Sequence, residues 1–152
     1  MSGLLLHDLD DFYAGLLPAI PPDVEVVPAL PSVRKCVGCF GCWVRTPGVC
    51  VIADRARDFA AKFGAREEFT VVSRLYCGGP SPDVKAFLDR SIPSLLPYFE
   101  VVDGVMRHAL RYPALRSLRY YYYLPPVSEE GAVVLSGSGG EATGRSLKQI
   151  AE

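Results

Sequence analysis

The chain has 152 residues, of which 49% are hydrophobic, and its formal net charge is −1. That length suits one domain, which buries roughly two-thirds of its unfolded surface. The charge balance argues against nucleic-acid binding, which calls for a basic excess, and no apolar run approaches the ~18 residues of a membrane span. The opening is apolar only across Leu4, Leu5 and Leu6, with no basic lead-in and acidic residues directly after. This is not a signal-peptide pattern, so a cytoplasmic location is expected.

Leu4 to Leu6 reads as a short buried strand, and residues 10–20 as a helix ended by Pro21 and Pro22. Residues 23–27 alternate and are β-branched, as a second strand would. A cysteine-rich loop follows over residues 36–50, and then a helix over residues 54–63, with Ala56, Phe59, Ala60 and Phe63 on one face and Gly64 at its end. Residues 68–73 are short and apolar and read as a central third strand. A loop over residues 76–82 leads into a helix from about Asp83 to Leu88, with Pro80 and Pro82 at its entrance. Residues 119–124, with four consecutive tyrosines, form the fourth strand. Beyond Leu124, residues 131–135 fit either a strand or part of a helix. Residues 136–140 read as a flexible turn or linker, and residues 143–151 as a terminal helix. The pattern does not place a fifth strand. Alternation of strands and helices predicts a doubly wound, three-layer α/β/α domain on a parallel sheet, with ligands at the carboxyl ends of the strands.

Five cysteines are present, and Cys36, Cys39, Cys42 and Cys50 share the spacing Cys-x2-Cys-x2-Cys-x7-Cys. In a reducing compartment such a cluster reads as a metal or redox site before a disulfide framework. Gly38 and Gly41 would give the loop freedom in φ, and Pro47-Gly48 would turn it so that Cys50 returns. Three readings stand: a [4Fe–4S] cluster on the four thiolates, a zinc ion on the same set, and a loop without metal. Serial cysteines fit iron better than the separated pairs usual for zinc.

The stretches Cys36-Val37-Gly38-Cys39-Phe40-Gly41-Cys42-Trp43 and Pro47-Gly48-Val49-Cys50-Val51-Ile52-Ala53-Asp54 resemble the signature of the flavodoxin-like NADPH-dependent FMN reductase and iron–sulfur flavoprotein family. So do Val84-Lys85-Ala86-Phe87-Leu88-Asp89-Arg90 and the run from Pro97 to Gly104. The resemblance covers about residues 23–124. It implies a flavodoxin fold with a five-stranded sheet, FMN, electron transfer between NAD(P)H or a redox protein and an acceptor, and a [4Fe–4S] cluster on the compact cysteine motif. It also implies a homo-dimer or homo-tetramer.

The resemblance further places the flavin ring beside Ser73, Arg74, Tyr76, Cys77, Gly78 and Gly79, with Tyr76 matching a ring-neighbouring tyrosine and Arg74 standing where the family has proline. The phosphate would lie in the turn after the first strand, at a helix N-terminus. Here that turn reads His7-Asp8-Leu9-Asp10-Asp11, and its three aspartates would repel a dianion. His7 is expected to be a surface or capping residue. Cys77, read as lying at a helix start, is a candidate reactive thiol, and Arg107, Arg111, Arg116 and Arg119 form a basic stretch. Two functions follow: an FMN-dependent oxidoreductase or electron carrier, and a relative that has lost FMN and acts by association through an aromatic patch around Phe40 and Trp43.

Overall fold

The structure, a computed structural model, describes residues 2–15, 19–114 and 117–124, together with strands at Val133–Gly137 and Thr143–Ser146. Strands β1 (Gly3–His7), β2 (Val24–Pro28), β3 (Glu68–Tyr76) and β7 (Ser117–Tyr123) are parallel, in the order β2-β1-β3-β7. The sheet continues antiparallel through β8 (Val133–Gly137) and β9 (Thr143–Ser146). β1 is buried along its whole length, as its unbroken leucine run requires of a strand covered on both faces. β3 lies between β1 and β7, in the central position its sequence implies.

Side chains alternate across the sheet, and this splits the core in two. Leu4, Leu6, Phe69 and Val71 face α3 (Phe59–Gly64) and α4 (Pro82–Asp89) through Phe59, Val84 and Phe87. Phe59 meets Phe87 and Phe69 edge-on, with ring centroids 5.1 and 6.2 Å apart. On the other face Leu5, Leu9, Val72 and Tyr123 pack with Ala14, from α1 (Asp11–Ala14), and Ile20. The chain is therefore α/β, with a mostly parallel central sheet. No helix among the described residues is long and apolar enough to cross a membrane.

Several elements differ from the sequence reading. The helix expected over residues 10–20 is described only as α1, and the helix expected over residues 54–63 begins at Phe59, because Asp54 accepts the Ala56 N–H and holds residues 54–57 in turns. Residues 143–146 pair with β8 as a strand, where a terminal helix was expected, and Ser136 and Gly137 belong to β8 rather than a linker. Residues 138–140 and 147–151 lie outside the described residues. A second sheet was not anticipated: β5 (Leu95–Val102) and β6 (Val105–Leu110) form an antiparallel hairpin after a 3₁₀ turn at Ile92–Ser94. Asp103 and Gly104 occupy its turn at φ 50° and 79°, the conformation for which Asp-Gly is favoured.

Candidate functional site

The strand order reverses between β1 and β3, since β2 lies on one side of β1 and β7 beyond β3. In open parallel sheets the crevice at the carboxyl ends of such strands is where ligands bind. β1 ends opposite Val72, and β7 accompanies β3 to Arg74. Beyond that register β3 leaves the main sheet and folds back on β4 (Gly79–Pro80). Cys77 and Gly78 form the two-residue turn, both at positive φ, 49° and 79°. Cys77 is exposed and lies in this turn, not at the start of α4. That helix begins at Pro82 after Ser81, whose hydroxyl accepts the Val84 N–H at 3.3 Å.

The turn after β1 is spent on the fold. The Asp8 carboxylate accepts the Arg74 N–H at 3.0 and 3.1 Å and the Ser73 hydroxyl at 3.3 Å. Ser73 Oγ accepts the Ser81 N–H at 2.9 Å. One carboxylate thereby joins the ends of β1 and β3, and Ser73 carries the link to the cap of α4. His7 is buried, contrary to the expectation of a surface residue, and its Nδ1 accepts the Leu9 N–H at 3.2 Å. Burial pulls the imidazole pKa below its ordinary value, against the raising influence of Asp8. The Tyr123 hydroxyl, 3.4 Å from the Asp8 carbonyl oxygen, is pushed upward in pKa by burial and then by Asp8 and Asp10. A cavity of about 300 Å³ opens here, with Asp8, Asp10, Asp83, Arg74 and Tyr123 among its walls. Three carboxylates against one guanidinium give it a negative field, and at ~4 Å each unit-charge repulsion is worth about 4 kcal/mol at an effective dielectric near 20. With its aspartates at the wall and a first helix of four residues, this turn does not fit a flavin phosphate.

The cysteine loop is clasped at its base by Arg90, the residue that closes α4 and is fully buried. Its Nη1 lies 2.6 Å from both Asp54 carboxylate oxygens and 3.2 Å from the Arg34 carbonyl, and its Nη2 donates to the Ile52 carbonyl at 3.0 Å. Asp54 also accepts the Arg34 N–H at 3.2 Å. Burial raises the Asp54 pKa, but the hydrogen bonds from Arg90, Ala56 and Arg34 and the Arg90 charge outweigh it, and the net shift is downward. Arg55 supports the entry to the loop: its guanidinium donates to the Pro28, Ala29 and Pro31 carbonyls and lies 5.1 Å over the Phe87 ring.

Inside the loop, Gly38 and Gly48 take positive φ, 65° and 88°. Gly41 does not. Phe40 adopts the left-handed conformation instead, and Gly41 opens α2 (Gly41–Val44) because there is no room for a side chain. A Cβ at Gly41 would stand 2.6 Å from Val51 Cγ1 and 3.5 Å from Cys39 Sγ. Gly48 N–H bonds the Cys42 carbonyl at 3.1 Å, so the Pro47-Gly48 turn does fold the chain back before Cys50. Cys50 is buried, Cys36 and Cys42 are half-buried, and Cys39 is exposed. Burial raises the Cys42 pKa, and negative charge on Cys50, then Cys36 and Cys39, raises it further. Each of the other three thiols thus lies near enough for its charge to act on Cys42. Among the described residues, however, no three Cys, His, Asp or Glu side chains close on a common ion-sized centre.

A second cavity, about 550 Å³, brings the cysteine loop and the β3–β4 turn together. Lys35 and Cys36 come from the loop, Tyr76, Cys77 and Gly79 from the turn, and Lys85 and Asp89 from α4. Its volume is within the range of small-molecule sites. No family model, curated protein or solved structure matches the chain.

The six residues assigned to a flavin ring divide four ways. Ser73 is sealed in the Asp8 network, Arg74 walls the acidic cavity, and Tyr76, Cys77 and Gly79 wall the larger one, while Gly78 is the tip of the turn. Of the basic stretch, Arg107 pairs with Glu100 at 3.1 Å, Arg111 Nε donates to the Pro93 carbonyl at 2.9 Å, and Arg119 is 3.7 Å from Glu68. Arg116 lies outside the described residues. Sequence reasoning missed Arg90 as a clasp and Lys35 and Lys85 as cavity walls. A cationic residue ending an otherwise apolar helix face was the available signal for the first.

Proposed function

We propose that this chain is a flavodoxin-like, cytoplasmic redox protein, an FMN-dependent oxidoreductase or electron carrier resembling NADPH-dependent FMN reductases and iron–sulfur flavoproteins. One observation carries the reading: Cys36 and the turn residues Tyr76, Cys77 and Gly79 wall a single cavity at the carboxyl end of β3. A cofactor there would contact the cysteine loop directly. The β2-β1-β3-β7 parallel order also accords with the flavodoxin arrangement. In this reading FMN supplies the conversion between one- and two-electron chemistry, and the chain supplies position. Tyr76 offers a face to the ring, and backbone groups of Cys77, Gly78 and Gly79 its edge. Cys36, Cys39, Cys42 and Cys50 are the donor set for a [4Fe–4S] cluster, which the exposed Cys39 and half-buried Cys36 would join by turning toward Cys42 and Cys50. The electron donor would be NAD(P)H or a redox protein, and the assembly a homo-dimer or homo-tetramer.

An anaerobic visible spectrum of the purified protein, with iron and acid-labile sulfide measured on the same sample, tests this. Flavin bands or a stoichiometric iron chromophore support it. A protein that stays colourless after reconstitution with FMN, iron and sulfide overturns it.

A second reading, a binding module of the same fold without flavin, draws on different observations. The β1 turn is committed to Asp8 contacts, and β5–β6 exposes Tyr98, Phe99, Val101, Val105 and Met106 beside the exposed Phe40. Half-buried Trp43 joins the two, stacked on Phe40, tilted against His108 and donating its indole N–H to the Leu95 carbonyl at 3.0 Å. The same reconstitution separates the readings.

A further inference from the structure

The two cavities at the carboxyl edge of the sheet carry opposite fields. In the one beside the β1 turn, Asp8, Asp10 and Asp83 face a single arginine. In the one beside the β3–β4 turn, Lys35 and Lys85 face a single aspartate, Asp89, which leaves one net positive charge. Lys85 is held to Asp89 at 2.6 Å, an i,i+4 pair on α4. Lys35 makes no ion pair among the described residues and lies next to Cys36. Of these two cavities, the second is the one that attracts an anion.

We propose that this lysine-walled cavity takes the phosphate of the bound flavin, with Lys35 as the primary contact and Lys85 shared with Asp89. The inference rests on the flavin reading above and deepens it: the phosphate is held on the same side as Tyr76 and Cys77, not at the turn after β1. Lysine is suited to this as a mobile point charge with three donors. The Lys85–Asp89 pair sets the strength of the site, because the carboxylate competes with the phosphate for the same ammonium.

The test compares FMN with riboflavin, which lacks the phosphate, by titration of the 152-residue apoprotein followed through flavin fluorescence. FMN is expected to bind about tenfold more tightly than riboflavin, with a steeper loss of affinity as salt rises. The double variant Lys35→Ala/Lys85→Ala should lower FMN affinity to the level of riboflavin in the same variant, and a far-ultraviolet circular dichroism spectrum and urea midpoint matching the wild type show that the variant is folded. Asp89→Asn should widen the preference for FMN. Equal affinity of the wild type for the two flavins, or an FMN preference that survives in the double variant, overturns the phosphate assignment while the flavin reading stands. So does an FMN preference that grows in Asp10→Asn by more than the lysine variant reduces it. Binding of neither flavin to the wild type overturns both.

Discussion

Arg90 and Asp54 meet at 2.6 Å, the arginine side chain fully buried and the aspartate one-fifth exposed. They end two of the four stretches on which the family resemblance rests, 36 positions apart in the chain. Their pairing is what joins α4 to the cysteine loop. Through the Arg34 and Ile52 carbonyls it also fixes both ends of that loop. The Arg90 Nε has no hydrogen-bond partner among the described residues, so the guanidinium depends on the partners it has.

Asp54→Ala should therefore destabilise the protein by about 3–5 kcal/mol, since it leaves a buried cation without its counterion. Urea unfolding monitored by Trp43 fluorescence reads this. Arg90→Lys should recover little of an Arg90→Met loss, because an ammonium cannot reach the carboxylate and two carbonyls with one planar fork. A cost below ~1 kcal/mol for Asp54→Ala would show that the clasp is a surface ion pair in effect. The native Asp54 pKa lies below its unfolded value, so its contribution is complete above pH ~4 and is lost as pH falls through the native value.

His7 adds a second acid-sensitive limb. Its native pKa is depressed by burial, so the unfolded chain takes up the proton first as pH drops. The contribution is complete above the ordinary histidine value, ~6.5, and is lost as pH falls through the lowered native one. Protonation at Nδ1 would also displace the Leu9 N–H. The unfolding midpoint should decline as pH falls below about 6.5 in the wild type and stay flat there in His7→Asn, whose amide oxygen can accept the same hydrogen bond.

The cysteines should differ in reactivity in metal-free protein. Cys42 carries a raised pKa from burial and from its three neighbours, and Cys50 is buried, whereas Cys39 and Cys77 are exposed. Timed iodoacetamide labelling at pH ~7.5, read by peptide mass spectrometry, should modify Cys39 and Cys77 first and Cys42 and Cys50 last. Early labelling of Cys42 would contradict the described packing of the loop.

Gly41→Ala should cost about 1–3 kcal/mol by driving a methyl into Val51. Removing the obstacle should restore much of it. In Gly41→Ala/Val51→Ala the added Cβ occupies space vacated by the valine, and a double-mutant cycle on thermal unfolding should return a favourable coupling. Two additive losses would mean that the glycine is required for another reason.

Much of the sheet was legible in the residues themselves. The leucine run of β1, the alternation of β2 and the apolar centre of β3 require burial on one or two faces, and a parallel sheet is the arrangement that supplies it. Pro82 marks the start of α4, and Pro47-Gly48 the return of the cysteine loop, because these are backbone effects that act within a few residues. The β5–β6 hairpin was signalled by Asp103-Gly104 between two apolar runs, but its alternation is weak and its two strands leave Phe99, Val101 and Met106 in solvent.

What only the tertiary structure decided is charge placement and pairing at a distance. Nothing local says that Asp8 will be consumed by Arg74 and Ser73, 66 and 65 positions away, or that His7 beside it will be buried. Residues 143–146 become a strand because β8 presents an edge to them, an option that no helical pattern reveals. Lys35 and Lys85 likewise become two walls of one cavity only when Arg90 ties α4 to the loop. The sequence determined the strands of the parallel sheet because strand periodicity is local. The fields at the two cavities arise where those elements meet, and their signs were set by folding.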